Sequence, residues 1–400
     1  MMNDVTVVGG SLAGLRAVET LRSSGFDGRI TVIGAERHLP YDRPPLSKRL
    51  LSGDWEPERI ALRKPEDMGS LDATWLTGTA ATGLDTDARE VAMADGSTVA
   101  FDGLIMATGA TARQLPDQHE HDHVVVLRTL DDALTLRNRI CDGDKQVVVI
   151  GAGFIGLEVA ATAQHLGNDV LVLEGAPAPL IRALGSEMGA AVAAVHGDRG
   201  VEIRCNVTVD GFARGGVLID GGQFVPADVV VVGIGVSPAV EWLEGSGLRI
   251  TDGVVCGSDL NVGVPKIYAA GDMMRWHNPL FDEEMRVEHW TNAAEQGALA
   301  ATNLLAESAG EPTTGYAPVP FFWSEQYDRR IQFLGRAGPD DEVRIVAGSV
   351  DERQFAALFG RAGRLRGVLG LNMPRHVMPF RKPLLEAISW DDALERAASL

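Results

Sequence analysis

The chain has 400 residues, enough for two or three domains, and its 46 glycines, 45% hydrophobic content and 6% aromatics suit an α/β protein with many short strand-to-helix turns. A net charge of −19 argues against nucleic acid as a partner. The longest apolar run, Val229–Val236, is too short to span a bilayer, and the three scattered cysteines, Cys141, Cys205 and Cys256, argue against a disulfide framework, a redox dithiol or a metal site. Met1–Asp4 carries no basic region ahead of the first strand, so a cytoplasmic protein is expected.

Val5–Val8 and Arg29–Gly34 read as buried parallel strands joined by a helix over Leu12–Ser23. Between strand and helix lies Gly9-Gly10-Ser11-Leu12-Ala13-Gly14, a tight turn whose amides and helix dipole suit a dinucleotide pyrophosphate. Ser11 stands where the middle glycine usually sits. Glu36, 22 residues after Gly14, has the spacing of a ribose-binding carboxylate. The prolines of Pro40-Tyr41-Asp42-Arg43-Pro44-Pro45-Leu46-Ser47-Lys48 impose an ordered loop. Such a loop either fixes the charge of Lys48 or presents a solvated lysine, and spacing alone leaves both readings open.

Residues 74–112 alternate short strands with turns and end in Ala107-Thr108-Gly109-Ala110, where small residues let the chain pass close to a ligand. His119, His121 and His123 alternate as on a solvated loop. The second unit repeats the first: strand Val147–Ile150, then Gly151-Ala152-Gly153-Phe154-Ile155-Gly156, a helix over Leu157–Leu166 and a strand Val170–Leu173 ending at Glu174. An acid there accepts from a ribose 2′-hydroxyl and repels a 2′-phosphate, which selects NADH over NADPH; Arg182, eight residues on, softens that preference. Glu158 reads equally as a carboxylate on the helix dipole or as a neighbour of the nicotinamide. Residues 227–238 form another apolar strand with Gly233 and Gly235 at its end, again a turn facing a cofactor.

Lys266–Asp272 reads as a strand whose terminal carboxylate, after Gly271, points past the sheet edge, where it suits a cofactor's ribityl hydroxyl. Glu288–Gln296 opens the next helix, with Trp290 just before it. From Phe321 the pattern turns β-rich: Phe321–Trp323, Ile331–Leu334, Val343–Ala347 and Leu365–Leu371 describe an antiparallel sheet closed by one or two helices. Between Phe321 and Lys382 the charge inverts, with eleven Lys and Arg against seven Asp and Glu.

These motifs together resemble the oxygenase-coupled ferredoxin reductases, the reductases of putidaredoxin and aromatic-ring dioxygenase systems within the glutathione-reductase-like flavoproteins. The match runs nearly end to end, and Arg43-Pro44-Pro45-Leu46-Ser47-Lys48 is its most specific segment. The resemblance implies two Rossmann-like nucleotide-binding domains plus a C-terminal α+β domain with an antiparallel sheet. The FAD fold would take residues 1–112 and 246–318, the NAD fold 113–245 and the last domain 319–400. It further implies FAD contacts from Gly9, Ser11, Leu12, Ala13, Gly14, Glu36, Arg43, Lys48, Ala81, Ala107, Thr108, Gly109, Arg128, Gly271, Asp272, Glu288, His289 and Trp290. NADH contacts would come from Gly151, Gly153, Phe154, Ile155, Gly156, Glu158, Glu174, Arg182 and Gly235.

The activity so implied is hydride transfer from NADH to FAD N5, then two single-electron transfers to an iron–sulfur ferredoxin that supplies a cytochrome P450 or a Rieske-type oxygenase. Lys48 would stabilise the reduced flavin, Glu158 would pair with Lys48 and orient the nicotinamide, and Trp323 would lie where electrons leave. An acidic ferredoxin would dock on the C-terminal arginines, Arg329, Arg330, Arg361, Arg364 and Arg366, near the flavin edge, on a monomer or weak dimer with no nucleic-acid or membrane partner. Relatives that reduce disulfides or peroxides carry a redox cysteine in the corresponding region, which this chain lacks. A redox-sensing protein like apoptosis-inducing factor shares the Arg-Pro-Pro-Leu-Ser-Lys segment but is expected to have a targeting sequence and a basic surface.

Overall fold

The computed structural model describes residues 2–400, which fall into two units: 2–42, 61–111 and 237–320 in the first, and 43–60, 112–236 and 321–400 in the second. Short β-branched runs flanked by glycines form the strands in both, because parallel strands buried on two faces need apolar side chains at every position.

In the first unit a parallel sheet runs in the order Ile267–Ala269, Gly103–Met106, Asp4–Val8, Arg29–Gly34 and Ala73–Thr77. The helix Leu12–Ser23 buries Leu15, Val18 and Leu21 against it and packs on the long helix Trp290–Ala309. That packing is close: a Cβ on Gly297 would sit 2.1 Å from the Ala13 carbonyl oxygen. An antiparallel sheet, Ala81–Asp85, Glu90–Met93 and Thr98–Ala100, and a further sheet over Ile250–Met285 complete the unit. One contiguous apolar core, from Val5 through Trp276 to Leu304, serves all of it.

In the second unit the parallel sheet runs Glu202–Cys205, Asp169–Glu174, Gln146–Ile150, Val229–Val232 and Val124–Val126. The helix Phe154–His165 starts three residues earlier than its apolar pattern predicts. Residues 227–238 are not one strand; the chain breaks after Val232, and Gly235 adopts a φ of +97° before Val236–Pro238. The C-terminal sheet has the order Phe321–Gln326, Arg329–Gly335, Arg364–Leu371, Gln354–Arg361 and Glu342–Ser349, all antiparallel. Gln354–Arg361 escaped the sequence reading because it is buried on both faces and so shows no alternation. Arg381–Leu385 and Trp390–Ala398 are the closing helices. No helix among the described residues is long and apolar enough to cross a membrane.

Candidate functional site

Three strands of the first parallel sheet, Asp4–Val8, Gly103–Met106 and Ile267–Ala269, end side by side, and each runs into a glycine or alanine turn. At such a carboxyl edge a dinucleotide is expected. Gly9 has a φ of +120°, and a Cβ there would lie 2.0 Å from the Ala107 carbonyl oxygen; on Gly14 it would lie 1.9 Å from the Gly9 oxygen. Ser11 is the extended residue preceding the helix, whose buried first turn is Leu12, Ala13 and Gly14. Thr108 is held by its hydroxyl donating to the Ala239 carbonyl at 2.7 Å.

Gly271, at a φ of +78°, donates its N–H to Gln296 Oε1 at 2.8 Å. Gln296 is fully buried, yet its Nε2 finds no partner in the protein. A buried amide donor left over beside Asp272 and the glycine turn is what a polar ligand would satisfy. Gln296 has no site role in the sequence motifs; its one signal there is that of an uncharged polar residue on the inner face of an Ala/Gly-rich helix. Trp290, the first residue of its helix rather than the one before it, donates Nε1–H to Asp42 Oδ1 at 2.7 Å. His289 is the N-cap and Glu288 pairs with Arg286 at 2.6 Å, while Arg286 also donates to the Asp272 carbonyl. The Glu36 carboxylate accepts from the Tyr41 hydroxyl. Ala81 opens the small antiparallel sheet, two residues after Thr79, whose N–H donates to the Gly34 carbonyl at the end of the second strand.

The second unit repeats the cradle. A Cβ on Gly151 would lie 2.4 Å from the Gly233 oxygen and one on Gly156 2.1 Å from the Gly151 oxygen, whereas Gly153 and Gly235 face open space. Glu174 is anchored by two backbone amides, Ala152 N–H at 2.6 Å and Ala176 N–H at 2.8 Å, one on each oxygen. Charge-assisted bonds of this kind fix the carboxylate at the strand end. Ile155 is exposed at the helix start and Phe154 turns onto Phe322 with ring centroids 4.8 Å apart. Arg182 is exposed at the start of the next helix.

Lys48 is not a solvated lysine, nor is Glu158 a surface carboxylate on a helix dipole. The loop's prolines tighten Pro44–Ser47 into a single 3-10 turn, and Lys48 Nζ lies 2.6 Å from Glu158 Oε2. Glu158, beyond the first turn of its helix, is 3% exposed. Ser47 Oγ–H donates to Glu158 Oε2 at 2.5 Å and Ser324 Oγ–H to Oε1 at 2.6 Å, so both oxygens are engaged. The loop is pinned further by Thr162 Oγ1–H on the Ser47 carbonyl at 2.7 Å, and Arg43 donates to the Arg128 carbonyl at 2.7 Å. Arg128 itself leads into a helix closed by a Thr129/Asp132 capping box. Trp323 lies on the other face of its strand from Ser324, stacked on Phe321 at 6.1 Å.

Of the C-terminal arginines, Arg330 and Arg364 are exposed, while Arg329, Arg361 and Arg366 are partly buried and Arg361 is committed to the buried Asp341 at 2.6 Å. Cys256 is buried in a strand, which pushes its thiol well above the ordinary range, and burial also raises that of Cys205. Among the described residues no cluster of His, Cys, Asp and Glu is assembled as a metal site.

Two glycine cradles, each with an acid at the end of its second strand, plus a buried glutamate on the second helix ion-paired to a loop lysine, define a class of oxidoreductase that holds two dinucleotides. Residues 3–297 match the pyridine nucleotide-disulphide oxidoreductase family and residues 321–398 the reductase C-terminal domain. The chain is 39% identical over 388 residues to rhodocoxin reductase of Rhodococcus erythropolis, a match spanning 95% of this chain and 89% of that one. It is 33% identical over 383 residues to putidaredoxin reductase of Pseudomonas putida, spanning 93% and 89%. The crystal structure of the covalent putidaredoxin reductase–putidaredoxin complex superposes with a TM-score of 0.92 at 30% identity, over 99% of this chain and 98% of that one. The chain belongs to the pyridine nucleotide-disulphide oxidoreductases, in the branch of putidaredoxin reductase-type ferredoxin reductases.

Proposed function

We propose that this protein is an FAD-dependent NADH:ferredoxin oxidoreductase feeding an oxygenase system. The observation that carries the reading is the Lys48–Glu158 pair, its glutamate buried on the helix of an intact dinucleotide cradle with both oxygens hydrogen-bonded, in a chain with no cysteine at that site. When bound, FAD accepts a hydride from NADH and gives up the two electrons singly to an iron–sulfur cluster.

The protein's own contribution is to bind and orient. Gly9, Ser11–Gly14, Ala107–Gly109, Gly271, Asp272 and Gln296 would hold FAD, with Glu36 on its ribose. Gly151, Gly153, Gly156 and Glu174 would hold NADH, the fixed Glu174 carboxylate disfavouring a 2′-phosphate. Lys48 is a cation held in one place by Glu158 and the Pro44 carbonyl, 3.0 Å away, and would stabilise a reduced flavin without reorganising. Lys48, Ser47 and Ser324 in turn fix the Glu158 carboxylate, which would orient the nicotinamide.

The partner is an acidic iron–sulfur ferredoxin. Of the five arginines expected to receive it, the exposed Arg330 and Arg364 are the pair we assign to docking. The reaction is tested by stopped flow: NADH should bleach the flavin rapidly, and a ferredoxin, rather than oxygen or a disulfide, should restore it. Slow reoxidation by every ferredoxin in a panel overturns the reading.

A further inference from the structure

Glu158 is the inner end of a longer buried polar chain, every member of which lies in the second unit. Ser324 and Gln326 alternate on the inward face of Phe321–Gln326 and are buried at 0% and 1% exposure, polar residues where the face is otherwise apolar. Gln326 Nε2 lies 3.2 Å from Ser324 Oγ, and Gln326 Oε1 lies 2.9 Å from Nε2 of His196, which is fully buried in the helix Ile181–Gly197. His196 Nδ1 lies 3.2 Å from the Tyr327 hydroxyl. Tyr327 occupies the two-residue hairpin tip at a φ of +56°, a conformation that favours asparagine or glycine, and its ring meets His196 edge-on with centroids 5.2 Å apart.

The chemistry of the groups gives this chain one direction. An amide oxygen only accepts, so His196 Nε2 carries the proton. Burial, with the nearby Arg199 charge adding to it, holds His196 below the ordinary imidazole range; the neutral ring then accepts at Nδ1 and Tyr327 donates. Gln326 Nε2 only donates, so Ser324 Oγ accepts from it and spends its single hydrogen on Glu158 Oε1. Tyr327, His196, Gln326 and Ser324 thus donate in sequence toward one carboxylate, each bond polarising the next. The charged groups around the chain are Lys48 at the Glu158 end and Arg199 at the other, where Arg199 lies over the Tyr327 ring and pairs with Asp328. Asp328 also meets Arg329, and Asp198 is held by Arg353.

We propose that His196, Gln326 and Tyr327 are positioning residues that act through Ser324 to fix the Glu158 carboxylate, and with it the Lys48 pair. A chain with an amide in the middle is suited to orienting a hydroxyl rather than to passing protons. The inference rests on the reading of Glu158 above, and its test separates the two. In the unaltered protein, side-chain nitrogen NMR should find the His196 proton on Nε2; a proton on Nδ1 reverses the chain and overturns the proposal whatever Glu158 does.

In the reductive half-reaction, Gln326→Met keeps the volume and removes both bonds. It should slow flavin bleaching at saturating NADH about fivefold with NADH affinity unchanged, the size expected for losing one polarising hydrogen bond. In a Ser324→Ala background the same change should cost nothing further, because the link to Glu158 is already cut. A loss that multiplies in that background belongs to packing alone and refutes the proposal. Should Gln326→Met not fold, the NMR measurement still decides.

Discussion

The chain builds the same strand–glycine–helix device twice and puts it to different uses. Aligned on their glycines, Gly14 matches Gly156 and Arg16 matches Glu158. Arg16 is on the surface, 38% exposed and paired at 2.6 Å with Glu19 one turn on. Glu158 is buried and holds Lys48 from a loop more than a hundred residues away in sequence. The first helix instead spends its equivalent stretch on packing, with Gly297 pressed against Ala13. The first cradle's helix therefore carries no buried charge behind its last glycine, and the second cradle's helix does. A motif read from glycines reports the cradle, and the residue two places after its last glycine tells what the helix is for.

The sharpest way to break that comparison is to close each cradle in turn. Gly14→Ala, whose Cβ would meet the Gly9 oxygen at 1.9 Å, should yield a folded but colourless protein. Gly156→Ala, whose Cβ would meet the Gly151 oxygen at 2.1 Å, should keep the flavin colour and lose NADH binding about a hundredfold in titrations. The opposite pattern exchanges the two nucleotides. Next in size, Lys48→Met strands Glu158 as a buried unpaired charge, and thermal unfolding should register a loss of about 3 kcal/mol or more, with flavin reduction by NADH slowed. An unmoved midpoint and an unmoved rate remove Lys48 from its role.

Glu174→Gln takes away the negative charge and one of the two anchoring bonds, since an amide nitrogen cannot accept from a backbone N–H, so the ratio of kcat/KM for NADH over NADPH should fall about tenfold. Arg330→Ala with Arg364→Ala should weaken ferredoxin reduction at low salt and flatten its dependence on ionic strength by a factor of about three, without touching reduction by NADH. The smallest effect belongs to the control: Arg16→Met, removing the counterpart of Glu158, should change stability by less than about 0.5 kcal/mol and leave both half-reactions alone.

Both cradles and the antiparallel character of the last domain were legible because glycine turns and β-branched strands are local signals. Leu12–Ser23 and Arg29–Gly34 match to the residue. The Lys48–Glu158 partnership came only through family resemblance, since nothing in the spacing of Pro40–Lys48 says which carboxylate the lysine meets. Ser47, Ser324 and Gln296 were missed for the same reason: each matters through a partner brought close by the fold. Ser324 and Gln326 did leave a trace, two polar residues at alternate positions of a strand whose other inward neighbour is Phe322. For the C-terminal arginines, a count of charges does not distinguish Arg361, bound to a buried aspartate, from Arg364 in solvent.

The order of strands in the two parallel sheets also bears on how the chain is made. Every strand of the second sheet lies between residues 124 and 232, but the first strand of the protein, Asp4–Val8, sits in a sheet that is complete only once Ile267–Ala269 has been added. As the polypeptide leaves the ribosome, the later cradle can close before the earlier one has all its strands. The opening segment then waits, with the edge of Gly103–Met106 unpaired, through the synthesis of some 160 residues. A nascent chain of which residues up to about 250 have emerged should accordingly protect its second cradle from protease and leave its first exposed.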